Sequence, residues 1–190
     1  MSTMATKAIC GEAADGLAEL SRLREEIEEL AFGLNDEAFL RKPGEGRWSA
    51  GECIAHLNAT ARPYLDKLPA AIAEARNAGL TGEGPVKRGI LGRMFLWALE
   101  PPARLKVKAP QPFLPRPNQS KAEIMSEFRS IRDELATVME SSGDLDWARV
   151  RMGLPTIPQF KLRLGEIYAV LLAHERRHLW QARRAAGQNI

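Results

Sequence analysis

Residues 164–185 read LGEIYAVLLAHERRHLWQARRA, and this stretch decides the fold because its inward positions recur with the period of a helix. Side chains that follow one another at steps of three and four residues share one face of an α-helix. The stripe here consists of Ile167, Leu171, His174, His178, Gln181 and Ala185. The pattern therefore predicts a long amphipathic helix that carries two histidines on its inward face.

Three further segments show the same helical period. The first predicted helix carries Leu17, Leu20, Leu23, Ile27, Leu30 and Leu34, and the third carries Ile124, Phe128, Ile131, Leu135 and Val138. Residues 49–52 and 120–123, SAGE and SKAE, are capping boxes that start the second and third helices. Pro63 and Pro69 predict a kink or an early end of the second helix. Because no segment alternates convincingly like a strand, we predict an all-α four-helix bundle.

The connection between the second and third helices is rich in proline. Residues 85–117 hold seven of the twelve prolines, yet residues 90–99, ILGRMFLWAL, are too apolar for a free linker. We predict a short helix there, followed by an extended crossover through residues 101–110. Met94, Phe95 and Trp97 either line a pocket or pack on the bundle, and packing is the preferred interpretation.

Composition restricts the class of protein. With 190 residues, 45% hydrophobic and 27% charged, we expect one folded domain over residues 1–190. Two cysteines are too few for a disulfide framework, which favours a reducing, cytoplasmic location. A net charge of +3 without basic residues interleaved with aromatics argues against a nucleic-acid site. The longest apolar run, residues 167–173, is too short to span a membrane.

The three histidines form a candidate metal site. His174 and His178 are one helical turn apart, so their imidazoles can point at one place. His56 lies on the inward stripe of the second helix, one turn after its capping box. The alternative is that each is an ordinary core histidine with its own hydrogen bond. A buried polar group without a partner costs about 1–3 kcal/mol, and one shared metal would satisfy all three.

Neighbouring residues have competing interpretations. Glu52 caps the second helix, which is favoured, or orients an imidazole or acts as a general base. Gln181 supports a ligand or makes an interhelical contact, and neither interpretation prevails. Cys53 is more simply a packed thiol than a fourth ligand. Trp48 is expected to staple the start of the second helix and to have no chemical role.

Two motifs carry a resemblance to a known family. Residues 48–57, WSAGECIAHL, and residues 174–181, HERRHLWQ, resemble the DinB-like superfamily of metal-binding four-helix bundles. The resemblance implies an up-down-down-up bundle, often dimeric, in which His56, His174 and His178 bind a divalent metal. It also implies S-transfer with small thiols, hydrolysis or isomerisation as the range of activities.

A three-histidine site also indicates what kind of function to expect. Three neutral imidazoles leave coordination positions open, as in catalytic rather than structural metal sites. Zinc or nickel is favoured, with iron or manganese as alternatives. Together with the activities that the resemblance implies, this predicts a metal-dependent thiol transferase or hydrolase that acts on a small-molecule thiol or electrophile. The alternative is a non-catalytic metal-binding bundle that acts as a sensor or interaction module.

Overall fold

The computed structural model describes residues 11–82, 89–102 and 108–188, and for Ile90, Leu91 and Phe95 it describes the backbone alone. The helices are α1 (Gly11–Phe32), α2 (Asp36–Leu40), α3 (Ala50–Leu65), α4 (Leu68–Asn77), α5 (Ile90–Leu99), α6 (Lys121–Ser141) and α7 (Leu164–Ala185). A 3₁₀ turn spans Gln111–Phe113, and two short strands are β1 (Arg151–Gly153) and β2 (Lys161–Arg163). Within the described ranges, no helix combines the length and the apolar character that crossing a bilayer requires.

The four long helices share one core. Helix α3 packs against α6 and α7, and α1 packs against the same two helices. The predicted stripes supply buried side chains to this core, among them Leu23, Ile27, Phe128, Ile131, Ile167 and Leu171. The prediction of a mostly helical fold is confirmed, whereas the up-down-down-up order of the helices remains a prediction.

The second helix ends early, as its prolines predicted, because α3 stops at Leu65, between Pro63 and Pro69. Helix α3 continues through Pro63 to Leu65, and the Asp66 amide still donates to the carbonyl of Arg62. Pro69 lies at the start of α4, where a missing amide proton costs nothing because the first turn has no intrahelical acceptor. Pro69 therefore begins an additional helix, which the sequence analysis did not predict.

A small antiparallel sheet is the other departure from the prediction. Met152 of β1 pairs with Leu162 of β2, and both side chains are buried. Strands of three residues are too short for an alternating pattern to stand out, which is why the sheet was missed. Residue 153 must be glycine, since a Cβ there would lie 2.4 Å from the carbonyl oxygen of Pro158. The sheet leads directly into α7 and so fixes where that helix starts.

Helix α5 occupies the predicted residues and lies against α7. The Gly89 amide donates to Oε1 of Glu166 over 2.7 Å, and Nη1 of Arg177 donates to the carbonyl of Ala98 over 2.9 Å. Met94 and Trp97 are 61% and 55% exposed, so less than half of the surface of each residue is covered. The side chain of Phe95 and residues 103–107 of the crossover lie outside the described residues.

Candidate metal centre

The three histidines meet where α3 packs against α7. His56 lies in the second turn of α3, and His174 and His178 lie one turn apart on α7. The start of α3 is set by the predicted capping box, in which the Ser49 side chain accepts from the amide of Glu52. The start of α7 is set in a similar way, because Oε2 of Glu166 accepts from the Arg163 amide over 3.0 Å.

The ring nitrogens converge at distances that suit a metal. Nε2 of His174 lies 3.3 Å from Nε2 of His56 and 3.0 Å from Nε2 of His178. A tetrahedral metal with bonds of about 2.0–2.1 Å to nitrogen separates two ligand nitrogens by about 3.3 Å. Of the His, Cys, Asp and Glu side chains in the described part of the chain, these three alone form such a cluster. The two separations from His174 match this value, and all three ligand atoms lie within 4.8 Å of one another, so the cluster could hold one divalent ion.

A backbone carbonyl fixes the protonation of one ligand. Nδ1 of His56 lies 2.6 Å from the carbonyl oxygen of Phe113, in the 3₁₀ turn of the crossover. A carbonyl only accepts, so Nδ1 must carry the proton, and Nε2 of the neutral ring presents a lone pair to the cluster. A lone pair facing other imidazole nitrogens is stabilised by a cation between them. Phe113 was not predicted from the sequence to be a partner of His56. Its position in a proline-rich crossover is its only distinguishing feature there.

Burial keeps the imidazoles neutral. It lowers the pKa of His56, and burial together with the neighbouring charges of His56, Arg177 and Arg132 lowers the pKa of His174 to about 3. Burial and the other two histidines lower the pKa of His178 well below its ordinary value. Neutral rings are the form that binds metals, so the site needs to release few protons at neutral pH.

The comparisons with known proteins agree with the geometry. The family described as the DinB superfamily matches residues 19–182, which include the three histidines and both motifs. The chain belongs to the DinB superfamily. No curated protein and no solved structure matched it. The family resemblance inferred from the two motifs is thereby confirmed.

Trp48 of this DinB-superfamily chain lies against the cluster. Its ring centroid is 4.8 Å from that of His56 and 5.9 Å from that of His178. From the sequence, Trp48 was expected only to staple the start of the helix. The sequence did contain one signal for a contact with the site: this aromatic residue directly precedes the N-cap of the helix that carries the candidate metal ligand His56.

Glu52 and Cys53 lie near the metal ligand of α3 but have other partners. Oε2 of Glu52 accepts from the Ser49 amide over 2.9 Å, and Oε1 pairs with Nζ of Lys42 at 2.8 Å. The Cys53 side chain is buried, and burial raises the pKa of its thiol to about 12. Cys53 is outside the cluster of ligand atoms.

Gln181 lies beside the last ligand of the DinB-type site. It is half-buried one turn after His178, and its side chain acts on that ring by hydrogen bonding, which raises the pKa of His178 against the larger effect of burial. Nδ1 of His178 is nevertheless buried without a partner in hydrogen-bonding geometry. The Gln181 amide is thus close to the ring without fully satisfying it.

A buried ion pair adjoins the site. Nε of Arg132 lies 2.9 Å from Oε1 of Glu175, and both side chains are almost fully buried. Residues 174–178 follow the order His-Glu-x-x-His, which metalloproteases use with the glutamate as general base. Here the glutamate pairs with an arginine of α6 instead. The pair was not predicted from the sequence, where the order of residues around Glu175 marks the glutamate but not its partner on α6.

Proposed function

We propose that this protein is a metal-dependent enzyme that holds one divalent metal through Nε2 of His56, His174 and His178. The observation that carries the proposal is the convergence of the three Nε2 atoms, with the proton of His56 held on the opposite nitrogen by Phe113. We propose a small-molecule thiol or electrophile as substrate, and thiol transfer or hydrolysis as the reaction.

The chain's own residues prepare the site. The carbonyl of Phe113 orients one imidazole, and burial keeps all three rings unprotonated and ready to donate. A divalent metal held there would act as a Lewis acid toward a thiol or water in an open position. We further propose supporting roles for two neighbours, Glu52 in fixing the backbone before His56 and Gln181 in holding His178.

The identity of the metal and the setting of the protein are part of the proposal. Imidazole ligands suit zinc and nickel, with iron and manganese as alternatives. We propose a single domain over residues 1–190 with residues 85–117 as its crossover, a cytoplasmic location, and a homodimer. The free, buried thiol of Cys53 is consistent with a reducing compartment.

Metal analysis tests the site itself. The purified wild-type chain should contain about one divalent metal per chain, and His174→Ala should contain none in stoichiometric amount. Glu140→Ala, an exposed change on α6, is the matched control and should keep the metal. Undiminished metal in His174→Ala would refute the assignment.

A turnover assay separates the enzyme from a binding module. Metal-loaded protein should consume a small thiol in the presence of an electrophile, and metal-free protein and His178→Ala should not. The alternative, a non-catalytic metal-binding bundle, is favoured by one observation: the cluster includes no carboxylate or thiol that could serve as a general base. Equal thiol consumption with and without metal would leave this alternative as the function.

A further inference from the structure

The contact between Trp48 and the histidines joins two helices. The indole precedes α3 and packs against His56 of that helix, with planes tilted by 46°. The same indole reaches His178 of α7, with planes tilted by 35°. One aromatic side chain therefore lies against two of the three candidate metal ligands, which come from two different helices.

The backbone around Trp48 is held independently of the histidines. The next residue, Ser49, donates its amide to Glu52 and accepts from the Glu52 amide at 3.0 Å, which fixes the first turn of α3. Gly51 packs so closely on Phe39 of α2 that a Cβ would lie 2.8 Å from that ring. The indole is thus presented to the histidines by a cap and a helix contact that do not depend on the metal.

The two ligands differ in what else orients them. The ring of His56 is fixed by its hydrogen bond to Phe113. The ring of His178 has no comparable backbone acceptor, because its Nδ1 is buried without a partner in hydrogen-bonding geometry. Rotation about the bond to an imidazole ring is broad unless neighbours restrict it. Packing against Trp48 therefore adds to the contacts with His56 and His174, whose ring centroids lie 4.5 and 4.4 Å away, in restricting the His178 ring.

We propose that Trp48 is a positioning residue of the metal centre, which holds the rings of His56 and His178 so that their Nε2 atoms converge with that of His174. This inference rests on the proposed metal-binding function. In this role Trp48 orients the imidazole rings of the metal ligands and does not itself contact the reacting atoms. Loss of the ring should loosen the geometry of the site and weaken metal binding.

Zinc dissociation constants of the full chain test the proposal, measured by competition with a chromogenic chelator. Trp48→Leu keeps an apolar side chain and removes the planar ring, so zinc affinity should fall by about 10- to 100-fold, as for other residues that orient ligands. Trp48→Phe keeps a ring and should stay closer to wild type. Trp180→Leu is the matched control, because Trp180 is also a half-buried tryptophan but packs against Arg184 of the same helix. The guanidinium carbon of Arg184 lies 4.9 Å from the centroid of the Trp180 ring.

Two spectroscopic readouts separate positioning from a purely structural role. The visible spectrum of the cobalt(II)-loaded protein should change in Trp48→Leu and remain unchanged in Trp180→Leu, because the spectrum reports the arrangement of the ligands. Nickel(II) should quench the tryptophan emission of the wild type, and Trp48→Phe should lose most of this quenching while Trp180→Phe keeps it. The quenching comparison holds even if Trp48→Leu does not fold.

The outcomes distinguish this inference from the function on which it rests. A wild-type chain that binds no metal would overturn both. Zinc affinity and a cobalt spectrum in Trp48→Leu that equal those of Trp180→Leu would overturn the role of Trp48 and leave the metal site intact. Quenching that is unchanged in Trp48→Phe would also overturn it, because the indole would then lie away from the bound ion.

Discussion

Nδ1 of His56 donates a hydrogen bond of 2.6 Å to the backbone carbonyl of Phe113, across 57 positions of sequence. A candidate metal ligand on α3 is thereby tied to the crossover that connects α5 to α6. A metal on Nε2 withdraws electron density from the ring and strengthens the hydrogen bond that Nδ1 donates. Metal occupancy and local order of the 3₁₀ turn should therefore favour each other, since such coupling is reciprocal.

Hydrogen exchange should reveal this coupling. In the turn, the Phe113 amide donates to the carbonyl of Pro110 and the Leu114 amide to that of Gln111. Zinc should slow exchange of both amides in the wild type, measured by NMR or mass spectrometry at neutral pH. The Leu145 amide, in a turn after α6, is an internal control whose exchange should not change. Identical rates for Phe113 and Leu114 with and without zinc would contradict the coupling.

Two substitutions can show whether Glu52 acts as a cap of helix α3 or as a general base. Gln at this position can still complete a capping box, so Glu52→Gln should have nearly wild-type stability, zinc affinity and turnover. Glu52→Ala should lose about 1 kcal/mol of the free energy of unfolding in urea, because the Ser49 amide loses its acceptor. A large loss of turnover in Glu52→Gln with normal stability would instead identify Glu52 as a general base.

The ion pair of Arg132 and Glu175 should be costly to break and inexpensive to replace. Removing one partner leaves a buried charge, so Glu175→Leu or Arg132→Met alone should lose about 3–5 kcal/mol of the free energy of unfolding. The double variant should recover most of this loss, because two apolar side chains need no compensation. Urea denaturation of the four metal-free proteins gives the coupling energy. Additive losses would show that the two residues do not depend on each other.

The histidines should make the metal-free protein sensitive to acid. Their pKa values are lowered in the folded chain, to about 3 for His174, whereas an unfolded histidine titrates near 6.5. Between these values the unfolded chain binds more protons, so the free energy of unfolding should decrease as the pH falls from about 6.5 toward 3. Each histidine contributes a slope of up to about 1.4 kcal/mol per pH unit.

The comparison of wild type with His178→Ala isolates this effect from other titrating groups. Urea midpoints of the two metal-free proteins should converge as the pH falls, because the variant lacks one of the groups that takes up a proton on unfolding. Parallel pH profiles would show that His178 titrates in the folded chain as it does in the unfolded chain.

The helices and the identity of the candidate ligands could be predicted from the sequence, because both depend on local patterns. Apolar steps of three and four residues mark the stripes that became the core, as with Ile27 of α1 and Phe128 of α6. Capping boxes marked the starts of α3 and α6, because such a box is completed within four residues. The one-turn spacing of His174 and His178 is a property of the helix itself.

Tertiary structure decided what surrounds those ligands. The Phe113 carbonyl at His56, the Trp48 indole at His178 and the arginine of α6 at Glu175 all join residues distant in sequence. No periodic pattern encodes such contacts, because they depend on how whole helices and the crossover pack. A backbone carbonyl is also the same group at every residue, so its partner is determined by the path of the chain rather than by the residue type.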